Sequence, residues 1–356
     1  MRALRPFSIP NWSRQNVTTS ARLDPARLRL ARELKEWSQA DLARAADVTP
    51  AAVSQFESGH TRPADETIPI LAKALSVPVA FFGVELAETH EGFFRSLRKS
   101  SVSQRRHARA LAHLAHDAAQ SAPESMLPEV TVPHCSVDLD ASRERIEDVA
   151  ARVRREWGVP AGPVENVVEL LERHGVVVIR LPLDSADVDA FSLPFPRHPV
   201  VVLGADKNDR ARSRFDAAHE LGHLVMHGEQ VWGLKEIEDQ AHQFAAAFLM
   251  PEDDIYDELP PRADWPLLFQ LKSKWQVSLA ALLFRAKTLG RMTSSNYLTA
   301  IKASSARGWR RSEPVPLGAP ETPTQLHAYL RTSDARKATA HLPQQVVAAL
   351  VEALDD

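Results

Sequence analysis

The spacing of apolar residues predicts short helices at the start of the chain. Apolar positions recur every three or four residues over Arg27–Trp37, which places them on one face of a helix. Ser38 followed by Asp41 favours the start of a second helix, and Thr49 followed by Pro50 favours the start of a third after a turn at 46–48. A short helix, a tight turn and a capped helix are typical of a helix-turn-helix.

The pattern changes in the second half of the chain, where helices alternate with short strands. Two amphipathic helices are predicted at Arg143–Trp157 and Val164–His174. Runs rich in β-branched residues then predict strands at Val176–Leu181, Asp189–Ser192 and Pro199–Leu203. We therefore expect a mainly α fold with a small β-sheet, in the α+β class.

Helical spacing returns after the strands and continues almost to the C-terminus. The predicted helices are Phe215–Met226, Glu236–Pro251, Trp265–Trp275, Ser278–Leu289 and Gln344–Leu354. The sheet is expected to pack against the first two of these.

The first of these helices contains a pattern suited to metal binding. His219 and His223 stand four residues apart, so both imidazoles lie on one helical face. Two imidazoles so placed bind one tetrahedral zinc, and Glu220 beside them can reach a water on that metal. A catalytic zinc also needs a third protein ligand and an open position, which predicts another ligand farther along the chain.

The next helix offers that third ligand near its start. Glu236, Glu238 and Asp239 are the candidates. We favour Glu238, because it shares a face with Ala241 and Ala245, small residues that let two helices approach; Asp239 is the alternative. Pairs of histidines at this spacing also occur by chance on amphipathic helices, so the acidic residues that follow carry much of the prediction.

These residues resemble the ImmA/IrrE family of metallopeptidases. The resemblance rests on RSRFDAAHELGHLVMH (Arg212–His227) and EDQAHQFAAAFLMP (Glu238–Pro251). It implies that His219, His223 and Glu238 bind zinc and that Glu220 is the general base. His227 extends the histidine stripe by one turn, and we interpret it as supporting the ligands rather than binding the metal. His242 stands where the family usually has asparagine, which leaves open whether it is an alternative ligand.

Composition narrows the class of protein. The chain has 356 residues, enough for two or three domains, and its net charge of −3 argues against a wholly basic nucleic-acid coat. The single cysteine, Cys135, allows neither an intrachain disulfide nor a cysteine-rich zinc site and fits a reducing cytoplasm. No apolar run approaches the ~20 residues of a membrane helix, and no signal peptide is recognisable. We expect a cytoplasmic protein without a membrane partner.

The N-terminal helices resemble the XRE (Cro/C1-type) DNA-binding domain over Pro25–Val84. The resemblance implies that Gln39 contacts phosphate and that Gln55 reads adenine, while Pro50 and Ala51 touch only thymine methyl groups. The implied contacts to an operator in double-stranded DNA are Gln39, Thr49, Pro50, Ala51, Ser54 and Gln55. Such domains usually bind paired half-sites as homodimers. Residues 22–62 carry seven basic and six acidic side chains, so a protein-binding module without DNA binding stays open.

Between the two modules lies Phe93–His116, which holds six Arg or Lys residues and no acid. It is either an additional phosphate contact or, as we favour, the solvated face of a connecting helix. Three prolines in Ser121–Asp140 predict a flexible boundary there. The expected divisions are a disordered tail at 1–20, the DNA-binding domain at 21–85, a connector at 86–140, the peptidase at 141–255, its helical extension at 256–300 and a C-terminal segment of unknown role at 301–356.

Together these features predict a transcriptional regulator with a zinc-dependent endopeptidase domain. Family resemblance implies a repressor-type protein substrate, either a partner or the chain itself, cleaved to control stress, phage or mobile-element genes. The strand at Asp189–Ser192 is a candidate for holding an extended peptide. Two alternatives stay open: a zinc-containing regulator without turnover, and an antitoxin-like module whose C-terminal helices bind a toxin-like partner. A His-His-carboxylate set favours zinc without separating it from manganese or iron.

Overall fold

A computed structural model describes residues 23–89, 101–182, 190–206, 208–228 and 234–352. The expected disordered tail at 1–20 and Asp189 lie outside these residues. None of the helices in the described ranges is both long enough and apolar enough to cross a membrane. The α+β fold class predicted from the sequence is confirmed: helices surround one small three-stranded sheet.

The N-terminal domain is built from four short helices: α1 (Pro25–Leu34), α2 (Gln39–Ala45), α3 (Pro50–Glu57) and α4 (Thr67–Leu75), followed by a 3₁₀ turn at Val79–Gly83. Their boundaries follow local chemistry. The hydroxyl of Ser38 accepts a hydrogen bond from the amide of Asp41, while the Asp41 carboxylate accepts one from the amide of Ser38, a capping box. The hydroxyl of Thr49 caps α3 by accepting from the amide of Ala52, and Pro50 occupies the first turn of this helix.

The connector contains α5 (Val102–Gln120), and its second half is more buried than we predicted. We expected the solvated face of a connecting helix over Phe93–His116. Residues 93–100 lie outside the described residues and Arg106 is exposed, but the second half of α5 is buried, including His113, His116 and Asp117. Asp117 forms a buried ion pair with Arg27 of α1. Because α5 packs against α1, the sheet and the C-terminal helices, little of the surface of its second half reaches solvent.

The proline-containing stretch after α5 also differs from the flexible boundary we expected. The amide of Thr131 donates to the carbonyl of His174 over 3.1 Å, and the amide of Cys135 donates to the carbonyl of Val225 over 2.8 Å. Cys135 and Val137 are buried. The stretch is therefore held along the helices that follow, and the numerical domain boundaries stay predictions.

The sheet lies between two layers of helices. After α6 (Arg143–Glu156) and α7 (Val167–Arg173) come β1 (Val177–Leu181), β2 (Ala190–Leu193) and β3 (Val200–Gly204). Strand β3 is central, parallel to β1 and antiparallel to β2. Successive residues of a strand point to opposite faces, so the two faces of the sheet enter two different hydrophobic cores.

The remaining helices begin with α8 (Arg210–Met226), α9 (Lys235–Leu249), α10 (Glu252–Ile255), α11 (Trp265–Trp275), α12 (Leu279–Thr288) and α13 (Ser294–Ala306). A 3₁₀ turn at Tyr256–Glu258 follows α10. The inner core contains α8, α9 and one face of the sheet, together with α6, α7, α11 and α12. The outer core contains the opposite face of the sheet, α5 and the N-terminal domain.

The C-terminal segment completes the outer core. Its helices are α14 (Gln325–Leu330), α15 (Ser333–Ala338) and α16 (Gln344–Glu352). Helix α14 packs on α5 and β1, α16 packs on α5, and α15 packs on α14. Just before them, the buried carboxylate of Glu321 pairs with Arg214 of α8 and accepts hydrogen bonds from the amides of Val167 and Val168. This segment, to which the sequence assigned no role, therefore holds the metal-motif helix against α7.

Candidate metal centre and nucleic-acid interface

Helix α8 presents the histidine pair because its flanks fix its position. The carboxylate of Asp209 caps its first turn by accepting from the amide of Arg212 over 3.0 Å. Gly222 allows α9 to approach: a Cβ atom at this position would lie 2.9 Å from Cδ1 of Phe244. A side chain between the two histidines would therefore push the two helices apart.

Three donor atoms from α8 and α9 converge at one point. Nε2 of His219 lies 3.0 Å from Nε2 of His223 and 3.5 Å from Oε2 of Glu238. All three donor atoms lie within 4.8 Å of one another. Tetrahedral zinc with ligands at about 2.0–2.1 Å spaces its ligand atoms roughly 3.4 Å apart. The donor set and its spacing therefore fit one zinc ion bound by two imidazoles and a carboxylate.

A chain of hydrogen bonds behind the cluster assigns the histidine tautomers. The side-chain amide of Gln240 donates to the backbone carbonyls of Asp138 and Leu139 at 2.8 and 3.1 Å, so its oxygen faces His227. His227 donates to that oxygen from Nε2 over 3.0 Å, which leaves its Nδ1 to accept from Nδ1 of His223, also at 3.0 Å. Nε2 of His223 is then unprotonated and points toward His219 and Glu238, as a metal ligand requires.

Glu220 lies beside the cluster in a buried position. The hydroxyl of Ser192, on edge strand β2, donates to Oε2 of Glu220 over 2.6 Å. Burial raises the pKa of Glu220 to about 7, although His219 and the hydrogen bond from Ser192 act in the opposite direction. A carboxylate with a pKa near neutrality both accepts and returns a proton readily, which suits a general base.

The two alternative ligands lie away from the cluster in different ways. Asp239 is exposed, and its Oδ2 lies 3.8 Å from Nζ of Lys235. Glu238, and not Asp239, lies beside the two histidines. The ring of His242 is tilted against Phe215 at a centroid distance of 4.7 Å and lies 6.5 Å from the ring of His219. It borders the cluster without joining it.

The predicted DNA contacts fall on one exposed part of the N-terminal domain. The side chains of α3 and its cap that we expected to face the major groove are exposed: Thr49, Pro50, Ala51, Ser54 and Gln55. Gln55 accepts a hydrogen bond from Thr61 over 3.2 Å. Gln39 donates to Glu57 over 2.9 Å, and Glu57 in turn pairs with Arg32, so the start of α2 is tied to α3. This network holds the two helices at a fixed angle.

Comparison with family models matches both parts of the chain. Residues 28–82 match the helix-turn-helix model. Residues 171–287, which contain the whole donor cluster, match the IrrE N-terminal-like domain of peptidase family M78. Both domains are present in this chain. The IrrE-like domain belongs to a metallopeptidase family that is typically metal-dependent, in agreement with the cluster of histidines and Glu238. No curated protein matches the chain.

Sequence reasoning found His227 as a supporting group but missed Gln240 and Ser192. Gln240 gave a signal, because it is polar yet shares a helical face with Ile237 and Phe244. Ser192 gave none beyond its place in a predicted strand. Its contact with Glu220 depends on the register of β2 against β3, in which Ser192 pairs with Val201.

Proposed function

We propose that this protein is a DNA-binding transcriptional regulator whose IrrE-like domain is a zinc-dependent endopeptidase. The proposed substrate is a repressor-type protein, a partner or the chain itself, cleaved to control stress, phage or mobile-element genes. The observation that carries the proposal is the convergence of His219, His223 and Glu238 within 4.8 Å, with Glu220 beside them. A site that only held a metal for structural reasons would have no need of a buried carboxylate at that position.

The residues of the chain divide the chemistry among them. His219, His223 and Glu238 would hold zinc, which, when bound, lowers the pKa of water and polarises a carbonyl group. Glu220 accepts the proton of the attacking water and delivers it to the nitrogen of the leaving amine. Ser192 occupies one oxygen of Glu220 and thereby orients the other toward the water.

The same chain would bind an operator through α3. The exposed side chains of Thr49, Ser54 and Gln55 would enter the major groove, with Gln39 on phosphate, in a homodimer on paired half-sites. We expect binding to weaken with salt, because contacts to phosphate release counterions, and to retain sequence preference through Gln55.

The decisive experiment compares the wild-type chain with Glu220→Gln, both purified with zinc. Each is incubated alone and with purified repressor-type proteins encoded near its gene, and products are read by intact mass spectrometry. We expect fragments from the wild type and a rate about 10²–10⁴-fold lower for the variant. Zinc content should be equal in both, because Glu220 is not among the ligands.

His223→Ala provides the matched control, since it should lose both zinc and cleavage. Equal fragmentation by wild type and Glu220→Gln would refute the role of Glu220. Absence of fragments from zinc-loaded wild type, with operator binding intact, would leave a metal-containing regulator without turnover.

A further inference from the structure

A cavity of about 410 Å³ opens next to the donor cluster. It begins at Phe215 and His242, each on a helix that carries metal-site residues. Phe215 stands one helical turn before His219 on α8, and His242 stands one turn after Glu238 on α9. One turn of helix advances about 5.4 Å, which is within two residues of an extended peptide. The cavity is therefore placed to meet a side chain close to a bond held at the cluster.

Five aromatic rings form part of the lining of this cavity, and charged side chains, among them Asp209, Arg212, Asp216 and Arg311, line the rest. His242 contacts Phe215 on one side and Phe284 of α12 on the other, at ring-centroid distances of 4.7 and 5.2 Å. Tyr297 of α13 and Trp309 are the other two aromatic residues in the lining. Such surfaces favour aromatic and large aliphatic groups, because they offer apolar area and edge-to-face ring contacts.

The outer wall of the cavity is held in place before any ligand arrives. Trp309 meets Trp265 edge-to-face at 4.9 Å and Phe269 at 5.6 Å, and the guanidinium of Arg307 lies 5.3 Å from its ring centre. Glu313, at the end of this segment, is fixed by Lys272 at 2.6 Å and by the amide of Leu279. Little ordering is then required when a side chain enters.

This wall also lies outside the region that matches the IrrE-like family model. The match ends at residue 287, whereas Tyr297 and Trp309 follow it. The shape of the cavity is therefore set in part by a segment beyond the matched residues.

We propose that this cavity binds an aromatic or large aliphatic side chain next to the bond that the metal centre cleaves, and that Phe284 and Trp309 determine this preference. The inference rests on the proposed peptidase function and specifies its substrate: a protein segment with a bulky apolar residue adjoining the scissile bond. Polar residues at the rim, including exposed Arg310, would contact the flanking peptide.

Binding of small zinc-chelating probes tests the cavity without requiring turnover. The full-length, zinc-loaded chain is titrated by calorimetry with acetohydroxamate, which has no side chain, and with 3-phenylpropanohydroxamate, which carries a phenyl arm. We expect the phenyl arm to tighten binding about ten- to 100-fold, the gain for burying one aromatic group. The ratio of the two dissociation constants should fall toward one in Trp309→Ala and in Phe284→Ala.

Tyr256→Ala is the matched control, because this exposed tyrosine does not line the cavity. It should preserve the ratio measured for the wild type. A phenyl arm that adds no affinity, or a gain that persists in both cavity variants, overturns the assignment of the cavity while leaving the metal centre intact. Failure of acetohydroxamate to bind overturns the proposed metal centre and the cavity assignment with it.

Discussion

The two hydrophobic cores differ in how they relate to the order of the chain. The inner core gathers helices that surround the metal cluster, from α6 to α12, and thus coincides with the peptidase half. The outer core draws on three distant parts of the sequence: the N-terminal helices, α5 with one face of the sheet, and the C-terminal helices α14 and α16. The boundary between the two cores therefore differs from the boundary between the two domains that match family models.

This difference shows that the DNA-binding helices pack against the rest of the chain rather than hanging on a flexible linker. Arg27 of α1 pairs with Asp117 of α5, and α5 packs directly on β1 and β3. Opposite, Ser192 of β2 contacts Glu220. The sheet therefore separates α5, on which the DNA-binding helices pack, from the site that would cut protein.

The largest effect is expected from removal of the ion pair between Arg27 of α1 and Asp117 of α5. Asp117→Ala leaves Arg27 fully buried without its carboxylate, and the loss of one partner of a buried pair typically costs about 3–5 kcal/mol. We expect a lower free energy of unfolding and faster hydrogen exchange in both α1 and β3. Glu156→Ala, which breaks the exposed pair with Arg152, should cost less than about 1 kcal/mol. Faster exchange confined to α1 would show that the outer core is not a single unit.

A pair of leucine substitutions sharpens the distinction between the cores. Leu114 is buried in the outer core and Leu282 in the inner core, and each change to alanine should cost about 2–5 kcal/mol. Leu114→Ala should weaken hydrogen-exchange protection in the N-terminal helices as well as the sheet. Leu282→Ala should weaken hydrogen-exchange protection chiefly in the helices around the donor cluster. Identical exchange patterns for the two variants would contradict the division into two cores.

A substitution in the hydrogen-bond network behind the donor cluster tests the inner core alone. Gln240→Leu removes the acceptor of His227 and the donor to Asp138, which together fix the tautomer of His223. We expect zinc affinity to fall ten- to 100-fold in a chelator competition assay. Gln243→Leu, on the same helix outside this network, should retain wild-type affinity. Equal losses in both variants would point to a general effect on α9.

The last expected effect is a loss of stability at low pH. Burial lowers the pKa of His113 to about 3 and that of His116 to about 4, from an ordinary value of 6.5. The unfolded chain therefore takes up protons first, so stability is full above pH 6.5 and falls as pH decreases toward 4. At pH 5 each histidine should contribute about 2 kcal/mol to this loss.

His113→Leu should flatten the pH dependence, measured as the free energy of unfolding in denaturant between pH 7 and 5. Exposed His60 supplies the comparison, since His60→Ala should leave the slope as in the wild type. A wild-type slope retained in His113→Leu would mean that other groups cause the acid sensitivity.

Local chemistry explains which elements could be predicted. The capping box at Ser38 and Asp41, the Thr49–Pro50 helix start and Trp265–Trp275 all appear as the sequence pattern indicated, because each depends on neighbours a few residues away. The histidine pair on α8 was visible for the same reason. What connects distant segments was not visible, since no local spacing reports that Glu321 meets Arg214 or that Ser192 meets Glu220.

The basic composition of the connector did not reveal that the second half of α5 is buried. Arginines in the first half of α5 suggested a solvated face, but alanines alternate with His113 and His116 in the second half and let that helix enter a crowded core. A run of alanines at helical spacing indicates close packing as readily as it indicates helix formation. Burial on all sides was thus encoded by small residues rather than by large apolar ones.

Helices α14 and α16 cover α5, and this has a consequence for folding during synthesis. The hydroxyl of Tyr329 donates to the carbonyl of Ser121, 208 residues earlier, and α16 covers the same helix. A ribosome adds about 5–20 residues per second, so this face of α5 emerges many seconds before the helices that cover it. We expect the nascent chain to keep an apolar surface open until α14 and α16 have been translated. A transcript truncated before residue 320 would then yield a product prone to aggregation rather than a shorter regulator.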